Sequence, residues 1–136
     1  MSVSVYDLPN LNFKDEQEFK QWWITRLGST KLSAAPDVFE IENEEKEPGF
    51  PDVLVVNADG RAIFYEIKLA RKHGKFKFEN TQPRFYKTHP ALHINVVVWD
   101  AELKKTFVVD AGLAAQAALE KGEIVKGGIR LNVREL

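Results

Sequence analysis

A single α/β or α+β domain, a mixed β-sheet flanked by α-helices, follows from three observations. The chain has 136 residues, enough for about one domain. Its 44% hydrophobic and 29% charged residues suit a globular protein with one core rather than disorder. Segments with helical spacing also alternate with β-branched and aromatic runs, in the order helix, three strands, helix, strands, helix.

The first helix is read in "DEQEFKQWWITRLG", where Phe19, Trp22, Trp23 and Leu27 form one stripe and Gly28 is a stop. Glu16 precedes Phe19 and Trp23 by three and seven residues, so it begins the same inward stripe. A strand is expected around Val38–Glu42. "DVLVVN" and "RAIFYEIK" follow as a hairpin joined by "ADG", with Gly60 taking positive φ. A short helix is expected from Thr81 to His89, with Pro83 in its first turn and Pro90 beyond its end. "HINVVVWD" and "KKTFVVD" read as strands. Asp110 is the expected N-cap of "AGLAAQAALEK", which ends at Gly122, and "EIV" and "IRLNV" around Gly127 and Gly128 form a terminal hairpin. No internal repeat or low-complexity segment interrupts this order.

Composition narrows the function. With no cysteine, disulfides and cysteine-ligated zinc or iron–sulfur sites are excluded, and a reducing cytoplasm is the expected location. The N-terminus "MSVSVYDLPN" has no signal-peptide pattern and no segment nears the ~18 apolar residues of a membrane span, so a soluble, unprocessed protein with no membrane partner is expected. The net charge of −1 hides an asymmetry, because residues 68–87 sum to +6 and the remainder to −7. Residues 37–47 are acidic, as a solvated face often is. For Lys68, Arg71, Lys72, Lys75, Lys77, Arg84 and Lys87, a polyanionic partner and plain solvation are both open readings.

Two acids bracket the hairpin. With the three-residue loop Ala58-Asp59-Gly60, Asn57 pairs with Arg61, Val55 with Ile63 and Asp52 with Glu66. Both carboxylates then share one sheet face with Lys68. Like charges so placed repel by roughly 1–3 kcal/mol at ~5 Å. Either the Lys68 ammonium and water offset this, or a hard divalent cation does, since carboxylates, a carbonyl and waters are ordinary ligands of Mg²⁺ and Mn²⁺. His73, His89 and His93 form no metal-binding pattern, because Pro90 breaks the helix that would align the last two. Trp22, Trp23 and Trp99 sit in periodic apolar runs and are expected in the core. No phosphate-binding glycine loop, nucleophile elbow or Ser/His/Asp order is present.

"PGFPD", the fourteen-residue step from Asp52 to Glu66, and "EIK" together resemble the PD-(D/E)xK nuclease superfamily. Within it the chain looks most like the VRR-NUC family. "EQEFKQWW" is similar to that family's first-helix motif, and "GKFKFENTQPRF" to its segment in which a Gln precedes an aromatic by three residues. The likeness spans residues 16–99 with gaps. It implies a restriction-endonuclease-like core and a Mg²⁺- or Mn²⁺-dependent DNA endonuclease from a bacterial or phage-infected cell. Members of this kind act as homodimers on branched DNA such as Holliday junctions; a non-catalytic member that binds nucleic acid or protein is the alternative. Carried onto this chain, the resemblance makes Asp52, Glu66 and the Ile67 carbonyl metal ligands. Lys68 becomes the residue that orients or deprotonates the attacking water. Glu16, or else Glu18, becomes the first-helix carboxylate supporting a second metal or a water, and Gln82 a group near the metal or the substrate phosphate. Pro83 directly after Gln82 departs from the pattern and leaves the placement of Gln82 to be settled. Arg71, Lys72, Lys75, Lys77, Arg84 and Lys87 would follow the DNA backbone. Phe76, Phe78 and Tyr86, interleaved with these cations, would stack on bases or pack; Phe85 and one of the two phenylalanines are expected in the core.

Overall fold

The structure, a computed structural model, describes residues 3–28, 37–41 and 48–136, the side chains of Leu27 and Gly28 excepted. The Leu27 side chain, the end of the predicted strand at Glu42 and most of the acidic block lie outside these residues. The described chain runs β1 (Val3–Asp7), α1 (Glu16–Gly28), β2 (Asp37–Glu40), β3 (Val53–Val56), β4 (Ala62–Ala70), β5 (Lys75–Glu79), α2 (Thr81–Thr88), β6 (Ile94–Asp100), β7 (Lys105–Asp110), α3 (Ala111–Lys121), β8 (Glu123–Val125), β9 (Gly128–Asn132) and a terminal 3₁₀ turn, Val133–Glu135.

Six strands form a mixed sheet in the order β1-β7-β6-β4-β3-β2, with β4 and β6 parallel and the other pairs antiparallel. The connection from β4 to β6 carries β5 and α2, a crossover of the kind that parallel pairing requires. The strand β6 reads as an unbroken apolar run because both of its faces are covered. On one face α1 lays Phe19 and Trp23 over Val53, Val55, Ile67, Val97 and Trp99. On the other, α2, α3 and a three-stranded sheet, β5-β9-β8, close a core that includes Phe76, Phe78, Phe85, Val96, Val98 and Leu131. The expected mixed sheet between helices is therefore the architecture found. Among the described residues no helix is long and apolar enough to cross a membrane.

The central hairpin has the register read from the sequence. Val53 pairs with Tyr65, Val55 with Ile63 and Val56 with Ala62. Asn57 N–H donates to Arg61 O at 2.8 Å, and Gly60, at φ +85°, closes the turn onto Asn57 O. Asp110 caps α3 by accepting from Leu113 N–H at 3.1 Å, and the helix from Thr81 ends with His89 as its C-cap. Trp23 and Trp99 are core residues, and Trp22 packs against them partly buried.

Two elements differ from the sequence reading. The N-terminal residues pair with β7 as an edge strand, where their mostly exposed side chains leave no strong apolar signal. "KFKFE", to which the sequence reading assigned no strand, is strand β5 with alternate residues buried. Both phenylalanines are therefore core, not one of them. Tyr86 is also buried, 3% exposed, so none of the three interleaved aromatics offers a face to a base. Lysines alternating with aromatics describe a strand with one wet face as well as they describe a nucleic-acid loop.

Candidate active site

The "PGFPD" segment is shaped to deliver Asp52. Gly49 adopts φ +89°, and a Cβ there would lie 2.4 Å from the Thr81 carbonyl oxygen, so only glycine lets this loop press against the start of α2. Phe50 then wedges between the rings of Phe64 and Phe85, with centroids 5.4 and 5.3 Å away. Asp52 leaves this wedge one residue before the regular β3–β4 pairing. Its carbonyl accepts from Ile41 N–H at 2.8 Å, its N–H donates to Tyr65 O at 3.0 Å, and its Oδ2 accepts from Ile67 N–H at 3.2 Å. The side chain is thus fixed against β4 beside Glu66.

Glu66 and Lys68 point from the middle of β4 into the α2 side of the sheet, where they are only 4% and 8% exposed. Charged groups are rarely so buried without partners. The Lys68 ammonium lies 3.8 Å from Glu66 Oε2, donates to Gln82 Oε1 at 2.8 Å and sits 5.5 Å from the centre of the Phe78 ring. Gln82 Oε1 also accepts from Glu79 N–H at 2.9 Å. With Oε1 engaged twice, what Gln82 retains for a ligand is an N–H donor. Pro83 occupies the first turn of α2, where its missing N–H would have had no intrahelical partner, and so it does not displace Gln82.

Glu16 opens α1 and reaches the same region from the opposite layer. Much of its side chain stays at the surface, but its carboxyl meets the Leu69 N–H and feels Lys68 and Asp52. Partial burial raises its pKa above the ordinary value; Lys68 opposes that shift and the Asp52 charge adds to it. Glu18, the other first-turn acid, has its N–H held by the Asp15 carboxylate and is exposed.

One neighbour was read in the sequence only as a stacking or packing group. Tyr86 lies one helical turn after Gln82, and its buried hydroxyl has no hydrogen-bond partner. Burial pushes its pKa well above the ordinary tyrosine value, and the Glu66 and Asp52 charges push it further. It stays a neutral O–H donor beside two carboxylates. The i, i+4 spacing from Gln82 was the available signal.

The structure thus brings Asp52, Glu66, Lys68, Gln82 and Glu16 together, with Ile67 anchoring Asp52. Among the described residues the Lys68 ammonium meets Glu66 directly and acts on Glu16, which also feels Asp52 and Lys20. Among the described residues no three His, Asp or Glu side chains form a ready-made cage for an ion. Asp52 and Glu66 are hard oxygen donors of the type that Mg²⁺ and Mn²⁺ take, usually one or two carboxylates with water and substrate phosphate completing the shell.

The expected cationic surface divides. Arg71, Lys75 and Lys77 line an open trough that begins at Glu16 and Leu69, and Arg130 from β9 joins them. Lys75 pairs with Asn132 and Lys77 with Arg130 across β5–β9, which brings Arg130 into the trough from 53 residues later in sequence. Lys72 is exposed on the turn before β5, and Arg84 is exposed on α2. Lys87 borders a separate depression with His89, Pro90 and Asp110. The trough unites three of the six cations named from sequence.

No family model matches this chain, and no curated protein matches it. Among solved structures its architecture is similar to that of Hjc, a Holliday junction resolvase from the archaeal hyperthermophile Archaeoglobus fulgidus. The match covers 84% of each chain at 10% identity, with a TM-score of 0.46. So distant a likeness carries no argument about activity, which rests on the residues above.

Proposed function

We propose that this chain is a divalent-metal-dependent nuclease of the PD-(D/E)xK type, VRR-NUC-like, that hydrolyses phosphodiester bonds in DNA. Branched DNA such as a Holliday junction is the substrate class and a homodimer the working form. The observation that carries the reading is the convergence of Asp52, Glu66, Lys68 and Gln82 on one sheet face. A buried ammonium held by a glutamine beside acids that a helix carboxylate joins is an expensive arrangement for a structural role.

In this reading Asp52, Glu66 and the Ile67 carbonyl hold the ion, with Glu16 supporting a second ion or a water. Bound Mg²⁺ or Mn²⁺ supplies an activated water and offsets charge on the attacked phosphate. Lys68, fixed by Gln82, would orient that water as the ammonium, or take its proton only in the neutral amine form, and the Gln82 N–H donor would face a phosphate oxygen. Arg71, Lys75 and Lys77, with Arg130, neutralise the backbone leading to the acids.

Incubating the protein with labelled linear, flap and four-way-junction DNA in Mg²⁺, Mn²⁺ or EDTA tests the reading. Metal-dependent cleavage, abolished by Asp52→Ala and by Glu66→Ala, is expected. Cleavage that survives either change would overturn the assignment. Binding without cleavage in any metal would favour the non-catalytic alternative.

A further inference from the structure

Across the sheet from Glu66 and Lys68, the α1 face holds a cavity of 280 Å³ to which no role has been given. Aromatic rings form much of its wall. Trp22 and Trp23 come from α1, Tyr65 from β4 and Tyr6 from the edge strand β1, with Thr106 and Arg26 completing its polar lining. Trp23 meets Tyr65 edge-on, with ring centres 6.0 Å apart.

Two of these groups are unusual for a core. Thr106 is 0% exposed on a sheet face lined mainly by apolar and aromatic side chains, and its hydroxyl has no hydrogen-bond partner. Trp23, 8% exposed, likewise has an indole N–H without a partner. Valine would fill the Thr106 position without stranding a hydroxyl, and phenylalanine would spare the indole N–H. At the rim the Arg26 guanidinium lies 5.4 Å from the centre of the Trp22 ring, a cation above an aromatic face.

We propose that this cavity is a binding site for a planar heterocycle that carries an anionic group, an unpaired nucleotide being the chemical class. Tyr6, half exposed at the edge strand, and the partly buried Tyr65 supply ring surface on which a base can stack. The indole N–H and the hydroxyl offer one donor and one donor–acceptor to a heterocycle edge, reached by rotation of the Thr106 side chain. Arg26 suits a phosphate at the mouth. The volume lies at the small end for ligand pockets, which matches one base better than a larger molecule. The site does not depend on the nuclease reading, because its residues lie on the other face of the sheet and none belongs to the acid cluster.

The test uses the full chain with ¹⁵N-labelled tryptophan in EDTA, following the three indole N–H signals by NMR. The probes are dAMP and dTMP, the matching nucleosides, and a duplex with or without one unpaired base. A saturable shift of the Trp23 indole signal with the nucleotides is expected. Arg26→Gln should weaken nucleotide binding about tenfold while leaving nucleoside binding unchanged, and Thr106→Val should weaken both. A shift with free nucleotides alone assigns the site to a free nucleotide; a shift with the unpaired-base duplex and not the perfect one assigns it to a strand. No movement of the Trp23 signal with any probe, or movement equal in wild type and both variants, would overturn the proposal. Glu66→Gln should leave this binding untouched, so its outcome is separate from that of the cleavage assay.

Discussion

Two ionic clusters in this molecule are built on opposite principles. At the C-terminal end of β6, Asp100 is 0% exposed and meets one arginine squarely. Arg134 donates to its two oxygens at 2.7 and 3.1 Å and to Glu102 at 3.0 Å, while the Glu102 and Leu103 N–H groups also donate to Asp100. Burial alone would raise the Asp100 pKa, yet these donors hold it below the ordinary carboxylate value. At the acid cluster the balance is reversed. There the Lys68 ammonium is held at 2.8 Å by an amide and stays 3.8 Å from Glu66, while Glu16 feels the Asp52 charge as well as those of Lys68 and Lys20. The Glu16 pKa is raised, not lowered. Matched charges fasten the end of a fold; at the acid cluster burial and a second carboxylate hold an acid above its ordinary pKa instead.

The sharpest break between the clusters should come from changing one member of each. Asp52→Asn or Glu66→Gln is expected to reduce cleavage by about a thousandfold or more, since the ion loses a ligand, with little change in the melting temperature without metal. Asp100→Ala is expected to do the opposite, lowering the melting temperature on the order of 5–10 °C by orphaning several donors at once while leaving the acid cluster intact. If calorimetry instead showed Asp52→Asn to be the more destabilising of the two, the contrast would fail. Lys68→Ala should keep Mn²⁺ binding and lose turnover by roughly 10²–10³-fold; loss of Mn²⁺ binding would show that Lys68 shapes the ion site rather than the water.

The trough gives a smaller effect. Neutralising Lys75 and Lys77 together should weaken DNA binding and make its dependence on log salt shallower by about two, one per phosphate contact. An unchanged slope would return that surface to solvation alone. The smallest effect separates the clusters by pH. A lowered folded pKa means that the Asp100 contribution is complete above its ordinary value of 3.8 and is lost as pH falls through the folded value. For Glu16 the sign is opposite: stability is full below 4.5 and declines as pH rises through the raised folded value. Glu16→Gln should therefore raise the metal-free melting temperature by about 1–3 °C at neutral pH and leave it unchanged at pH 4. A uniform shift at both values would mean that Glu16 acts by packing.

How much of this was legible before the structure depended on whether the signal was local. The "ADG" loop set the β3–β4 register through turn geometry, from which Asp52 was read across from Glu66, and strand alternation put Lys68 on the face of Glu66. The N-cap at Asp110 and the periodicity of α1 were local in the same sense. "KFKFE" misled because its alternation was read as charge before it was read as pleat, which left one of two core phenylalanines outside the expected core. "VSVYD" lacked contrast because an edge strand left mostly exposed, with only Val3 packed on the core, needs no continuous apolar face. What could not be read was set by tertiary placement. The Gln82 contact with Lys68 depends on the Gly49–Phe50 wedge against α2, and Arg130 enters the trough only because β9 pairs with β5.

The central claim is that the acid cluster holds a divalent cation, and thermal unfolding with and without Mn²⁺ tests it without any assumption about substrate. A wild-type melting temperature that climbs by about 3–5 °C once Mn²⁺ reaches ten times its dissociation constant, with no rise in Asp52→Asn or Glu66→Gln, is the expected result. A wild-type melting temperature that stays flat to about 10 mM Mn²⁺, beyond the weakest range of ordinary divalent sites, would contradict it.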